Sequence, residues 1–243
     1  VNGKPLVVVF TGTTLPNVKE RHGDFDRHFR DVIGEAWSGP WASVDARDTT
    51  APLPSFRSAA GFLVTGSSSS VTEREQEAWM PRLEAWLRDA VAAEVPLLGV
   101  CFGHQILASA LGGEVRKNPA GRRIGRLEVA RSDTDDPLLD GVPARFHVNV
   151  SHRDHVAVAP RGIRPLIVAD HDPIHAFAHG PKARAVQFHP EFHEGVIRGY
   201  IEARREILRG EGLDPDLLER EIGEVPHAQR ILRNFVTRFV AER

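Results

Sequence analysis

The chain has 243 residues, 41% of them hydrophobic and 26% charged, which is enough to bury a sizeable core as one α/β domain or two small ones. With 31 basic against 33 acidic side chains the formal charge is −2, so no strong field is available to draw in nucleic acid or an anionic membrane, and a small neutral or zwitterionic substrate fits better. A single cysteine excludes an intrachain disulfide, the first residues carry no secretion-signal pattern, and no apolar run approaches the roughly 20 residues of a membrane-spanning helix, so a cytoplasmic location is expected.

Pro5 to Phe10 (PLVVVF) is a short β-branched run ending at Thr11-Gly12 and reads as a buried strand of a parallel sheet. Phe25, Phe29, Val32 and Ile33 recur at helical spacing, and Trp41 to Val44 reads as a second strand. A third strand, Gly61 to Thr65, is broken by Gly66 and four serines. Glu77 to Ala93 sets Trp79, Leu83, Trp86, Leu87 and Ala90 on one side of a helix, with its first turn just before Pro81. Val95 to Val100 is another buried strand and leads at once into a helix from about Gly103 to Leu111, stopped by Gly112-Gly113. Strands alternating with helices in this way predict right-handed crossovers and a mostly parallel sheet covered on both faces.

From Glu114 to Ala185 the pattern changes. Short strand-like pieces at Leu127 to Ala130, Arg145 to Val150, His155 to Val158, Leu166 to Ala169 and Ala176 to Ala178, separated by Gly and Pro, predict antiparallel additions. Ala183 to Phe188 returns as a strand, and the tail offers helices at Gly195 to Arg209 and His227 to Glu242.

Within Pro96 to Gln105 (PLLGVCFGHQ), Cys101 sits where a buried strand turns into a helix, between Gly99 and Gly103. A sharp strand-to-helix turn exposes one side chain at the carboxyl edge of a sheet, and the helix N-terminus beside the sulfur favours the thiolate. The N–H of Phe102 is then available to an oxyanion. A cysteine chosen at random is more often core filling, but the flanking glycines argue against that here. In Ala185 to Glu191 (AVQFHPE), a strand end directs His189 toward the same edge, Pro190 fixes the turn, and Glu191 can reach the far ring nitrogen.

Taken together, GVCFGHQ and VQFHPE resemble the class I (triad) glutamine amidotransferase family. The likeness extends to the FLVTGS strand, the LASALGGEV helix with its glycine stop, the SHRDHV segment and the order Cys, His, Glu. It implies a single class I glutamine amidotransferase-like domain over residues 1–243, with C-terminal helices from about residue 195. The fold implied is a three-layer flavodoxin-like α/β domain, with a mostly parallel central sheet and a small antiparallel addition. The helical C-terminal end points to the free-standing, GMP-synthase-like subgroup.

The resemblance further implies that Cys101 attacks the side-chain amide of glutamine or a γ-glutamyl compound, that His189 serves as its base and acid, and that Glu191 orients His189. It puts oxyanion donors at Phe102 and in the loop at Gly66 and Ser67, and substrate contacts at Gln105, Ser151 and His152. No cofactor and no metal are needed for this chemistry. The expected partner is the small-molecule substrate, with delivery of ammonia to a separate synthase partner as the alternative and a non-catalytic binding module as another; nucleic acid and membrane are not expected. One departure concerns the substrate: relatives often carry Glu in a G-x-E-x-G stretch where this chain has Arg123 within Gly121 to Gly125. An arginine pointing inward there would favour an anionic feature, whereas one pointing into solvent would change nothing.

Twelve histidines also raise a metal-hydrolase reading. His152, Asp154 and His155 form one local group of ligand types, and His171, Asp172, His175 and His179 another. Neither forms an HExxH helix, and a metal hydrolase would leave the cysteine turn without a role, so metal catalysis is set aside.

Overall fold

The apolar runs and their glycine ends build one large sheet in a computed structural model that describes residues 3–170 and 172–241. Strand β1 (Leu6–Phe10) is followed by helices α1 (Pro16–His22) and α2 (Phe25–Ile33), strand β2 (Trp41–Asp45), strand β3 (Gly61–Val64) and helix α3 (Trp79–Ala92). Next come β4 (Leu97–Val100), α4 (Phe102–Ala110), β5 (Glu114–Lys117), β6 (Arg123–Arg131), β7 (Arg145–His152), β8 (Asp154–Val158), β9 (Ile163–Ala169), β10 (Asp172–His179) and β11 (Ala183–Val186). Helices α5 (Glu194–Glu202), α6 (Arg205–Gly210), α7 (Pro215–Arg220) and α8 (Pro226–Phe235) complete the chain, the last continuing into a π-helical turn at Val236–Ala241.

Nine strands form the main sheet in the order β2-β1-β3-β4-β11-β10-β9-β6-β7, and β5 pairs with β8 in a separate two-stranded sheet. The neighbours from β2 to β11 run parallel, as the helical crossovers require. From β11 onward every pairing is antiparallel. The expected antiparallel pieces therefore extend the main sheet as well as forming the small one.

Strand alternation splits the core in two. Leu6 and Val8 of β1 face one cluster, with α2, α5 and α8 packed on it, whereas Val7 and Val9 face the other, built with α3 and α4. This is the three-layer arrangement. No helix among the described residues is long and apolar enough to cross a membrane.

Several boundaries differ from the sequence reading. The single helix expected over 195–209 breaks at Ala203 and Arg204 into α5 and α6. At the break the Arg204 guanidinium lies 4.9 Å from the Tyr200 ring centroid, a contact that periodicity does not encode. Helices α1 and α7 were not anticipated; both are short and start with Pro at the first turn, where its missing N–H costs nothing. Helix α3 begins at Trp79 rather than Glu77, Phe188 lies beyond the end of β11, and the final helix gives way to the π turn after Phe235; its expected last residue, Glu242, lies outside the described residues.

Candidate active site

Cys101 stands between β4 and α4 with φ 55° and ψ −102°. Positive φ in a residue with a side chain stores strain of about 1–3 kcal/mol and persists only where the surroundings impose it. Here Cys101 N–H donates to Val186 O at 2.9 Å, and Cys101 O accepts from Gln105 N–H at 3.1 Å, so the turn is fixed from both sides. The flanking glycines are required by contact. A Cβ on Gly99 would lie 2.4 Å from Gly103 O, and one on Gly103 would lie 2.4 Å from Val64 O. Helix α4 thus begins directly against the ends of β3 and β4. Phe102, at its first position, has no intrahelical acceptor for its N–H.

Strand β11 runs parallel to β4 with Val186 opposite Val100, so the chain leaves both strands at the same edge. His189 N–H donates to Asn149 O at 2.8 Å, which sets the backbone of the turn. Its ring stacks on Phe192 with centroids 3.9 Å apart and planes 7° from parallel. His189 Nδ1 lies 2.7 Å from Glu191 Oε1, and both side chains are buried. The Nδ1–H therefore donates to the carboxylate, and Nε2 is the nitrogen left for the sulfur. Burial alone would push the imidazole down, but the Glu191 carboxylate, and after it Cys101, outweigh that and raise it to about 10.

The loop after β3 closes the other side. Thr11 Oγ1 donates to Thr65 O at 2.9 Å, and Gly103 N–H donates to the same oxygen at 3.1 Å, tying this loop to the first turn of α4. A Cβ on Gly66 would lie 2.9 Å from His189 Cε1 and 3.7 Å from Cys101 Cβ, so only glycine lets the loop approach the pair without displacing the ring. Ser67 lines a cavity of about 210 Å³ beside Cys101, together with Phe102, Gln105, Ser151 and His152. Every expected site residue except Gly66, His189 and Glu191 borders this cavity; Gly66 packs against the His189 ring, which in turn is bonded to Glu191.

The cavity-side polar groups are themselves held. Gln105 Nε2 donates to Asp154 O at 2.9 Å and to Gln187 Oε1 at 3.0 Å. Ser151 O lies 3.9 Å from Cys101 Sγ. His152 donates from Nδ1 to Asp154 O at 2.9 Å, and burial, with His175 beside it, lowers its ring to about 3, so it is neutral in ordinary buffers.

Three arginines also line the cavity: Arg122, Arg153 and Arg204. Arg122 is held by Glu211 at 2.6 Å. Arg204 is lowered chiefly by burial and further by the charges of Arg122 and Arg153. The arginine that reaches the cavity is thus Arg122, while its neighbour Arg123 is not among the lining residues. Sequence reasoning missed all three. Arg153 was legible inside SHRDHV, but Arg204 comes from the break between α5 and α6, which no local pattern announces.

The two histidine groups considered for metal binding do not assemble separately. Asp154 accepts from Ser70 Oγ at 2.5 Å instead, and His152 of the first group meets Asp172 and His175 of the second. His171 lies outside the described residues.

Residues 47–204 match the family model described as glutamine amidotransferase class-I. The protein named GMP synthase [glutamine-hydrolyzing] from Streptomyces coelicolor is 36% identical over 158 residues, which is 65% of this chain and 28% of that protein. Its namesake from Leifsonia xyli is 39% identical over 153 residues, 61% of this chain and 28% of the relative. The match thus spans little more than a quarter of these relatives. Among solved structures, a glutamine amidotransferase from Thermotoga maritima superposes with a TM-score of 0.77 at 22% identity, covering 97% of this chain and 98% of that one. A glutamine amidotransferase from Methylobacillus flagellatus gives 0.78 at 23% identity, covering 98% and 94%. At these identities the structural likeness concerns the fold.

Proposed function

This chain belongs to the class I glutamine amidotransferase family, and on that basis we propose that it hydrolyses the side-chain amide of glutamine or a γ-glutamyl compound through a cysteinyl thioester. The observation that carries the reading is the strained Cys101 turn beside an imidazole whose Nδ1 is fixed 2.7 Å from the buried Glu191 carboxylate. Cys101 Sγ attacks the amide carbon, forming the C–S bond while the carbonyl π electrons move onto oxygen. That oxyanion faces Phe102 N–H and the Gly66-Ser67 loop, where one donor contributes roughly 3 kcal/mol to the transition state. As the C–N bond breaks, the His189 imidazolium gives its Nε2 proton to the departing ammonia or amine. Water then attacks the thioester, His189 takes up the proton, and Cys101 leaves as thiolate. Glu191 keeps the Nδ1–H bond throughout and stabilises the charged ring.

Gln105, Ser151 and His152 are assigned to the amino-acid end of the substrate, and the arginines of the cavity supply positive charge for its carboxylate. The names of the relatives join glutamine hydrolysis to a synthase, which favours, as a second reading, a glutaminase that passes ammonia to a separate synthase partner.

A release assay over glutamine, γ-glutamyl peptides and γ-glutamyl amines tests both readings. Wild-type protein is expected to release ammonia or amine, and Cys101→Ser to lose turnover while keeping its circular dichroism and Tm. Turnover retained by Cys101→Ser overturns the nucleophile assignment. Release that appears only when cell extract is added identifies the partner-dependent reading.

A further inference from the structure

Behind the nucleophile's cavity, two imidazoles and a carboxylate are buried against one another. His152 closes β7, and Asp172 and His175 lie on β10; their exposures are 5%, 2% and 0%. One ligand atom from each can be chosen so that all three lie within 4.8 Å of one another. The two rings are 5.9 Å apart between centroids. Each residue also carries a buried polar atom with no hydrogen-bond partner among the described residues: His152 Nε2, Asp172 Oδ1 and His175 Nε2. Buried polar atoms are almost always paired, so three unpaired ones mark a cluster whose polar groups its own residues do not satisfy.

The chemistry of the group fits a cation. The bond from His152 Nδ1–H to Asp154 O fixes the tautomer and turns Nε2 into a lone-pair donor, the arrangement by which metal-bound histidines are held through their other nitrogen. His175 Nδ1 and Asp172 Oδ2 are hydrogen-bonded at 2.9 Å, close to the roughly 3.3 Å edge that two ligands share on a tetrahedral ion bound at about 2.0–2.1 Å, so an ion held by these two atoms and His152 Nε2 would replace the proton they share. Two imidazoles and one carboxylate are a zinc donor set with one coordination position left over.

We propose that His152, Asp172 and His175 bind a divalent transition-metal ion, zinc by ligand type, which pins the turn from Ser151 to Asp154 onto strand β10. Its ligand His152 also borders the Cys101 cavity, but no step of the thioester chemistry is assigned to the ion, and the metal test below is read without turnover.

The test uses untagged full chain carrying Cys101→Ser, because a thiolate paired with an imidazole would bind zinc on its own account. Protein stripped with a chelator, reloaded with zinc and desalted is expected to retain about one zinc per chain by mass spectrometry and to gain several degrees in Tm. Cobalt in place of zinc is expected to show tetrahedral d–d absorption. Adding Asp172→Asn or His175→Gln is expected to remove both the metal and the Tm response, while His147→Gln, outside the cluster, keeps them. The proposal is overturned if the Cys101→Ser protein retains no zinc and its Tm ignores the ion, or if zinc is held undiminished with both Asp172→Asn and His175→Gln in place.

Discussion

His189 is the residue on which the proposed chemistry turns, because its charge state sets both the leaving-group step and part of the stability. Burial opposes its protonation, but Glu191 and Cys101 together raise it to about 10. The acid form is therefore present through neutral pH, and turnover is expected to fall only as pH rises through about 10. Replacing Glu191 with Gln removes the leading raising influence, so the alkaline limb of the pH–rate profile is expected to move to lower pH. The loss of kcat should be smaller than in His189→Ala, since Glu191 orients and stabilises while His189 transfers the proton. An unmoved limb would mean that Glu191 does not govern the imidazole. The linked stability has the same sign: a raised histidine stabilises fully below its ordinary value of 6.5, and the contribution fades as pH climbs through about 10. Thermal melts of wild type and Glu191→Gln should therefore differ most in acid and converge in alkali.

At the scale of elements, one buried ion network joins parts of the chain that the sequence keeps far apart. Arg184 of β11 donates through Nε to Asp136 Oδ1 at 2.9 Å, and Arg164 of β9 reaches Asp136 Oδ2 at 2.9 Å. The Arg184 guanidinium also lies 4.5 Å from the Phe239 ring of the C-terminal π turn. Arg184 and Asp136 are each 2% exposed, so removing the carboxylate alone strands a cation in the core. Asp136→Ala is expected to cost about 3–5 kcal/mol in denaturant unfolding. Asp136→Ala combined with Arg184→Met should recover most of that loss, because an apolar pair no longer needs a counter-charge. Equal destabilisation in the single and double variants would show that backbone caps, rather than the ion pair, hold this corner.

Across the whole molecule, the site is assembled from segments spread along the chain from Cys101 to Arg204: the turn at Cys101, the edge of β7, the end of β11 and the break after α5. That assembly gives the cavity its positive lining of Arg122, Arg153 and Arg204, in a chain whose formal net charge is only −2. Arg204→Gln is expected to raise KM for a glutamyl substrate with kcat less affected, by about 1.5–3 kcal/mol for a charged hydrogen bond, or roughly tenfold and more. Steady-state kinetics at fixed ionic strength check this. A fall in kcat at constant KM would instead place Arg204 in support of the reacting groups.

The strand-to-helix turn at Cys101 and the strand end before His189 were legible because each is written in a few consecutive residues: a buried run, a glycine, a reactive side chain, a helix start. Strand and helix periodicities likewise carried the layered α/β order, since burial on two faces imposes them locally. Arg204, the short helices begun by Pro16 and Pro215, the pairing of Arg184 with Asp136 and the meeting of His152 with Asp172 and His175 were not legible. These depend on which distant surfaces come into contact, and a side chain's partner across a sheet edge leaves no periodic trace in its own segment. The sequence by itself thus determined the elements and the local frame of Cys101. Only the tertiary structure decided the charge of the cavity and the buried polar cluster behind it, because both arise from groups that the sheet topology, rather than chain proximity, brings together.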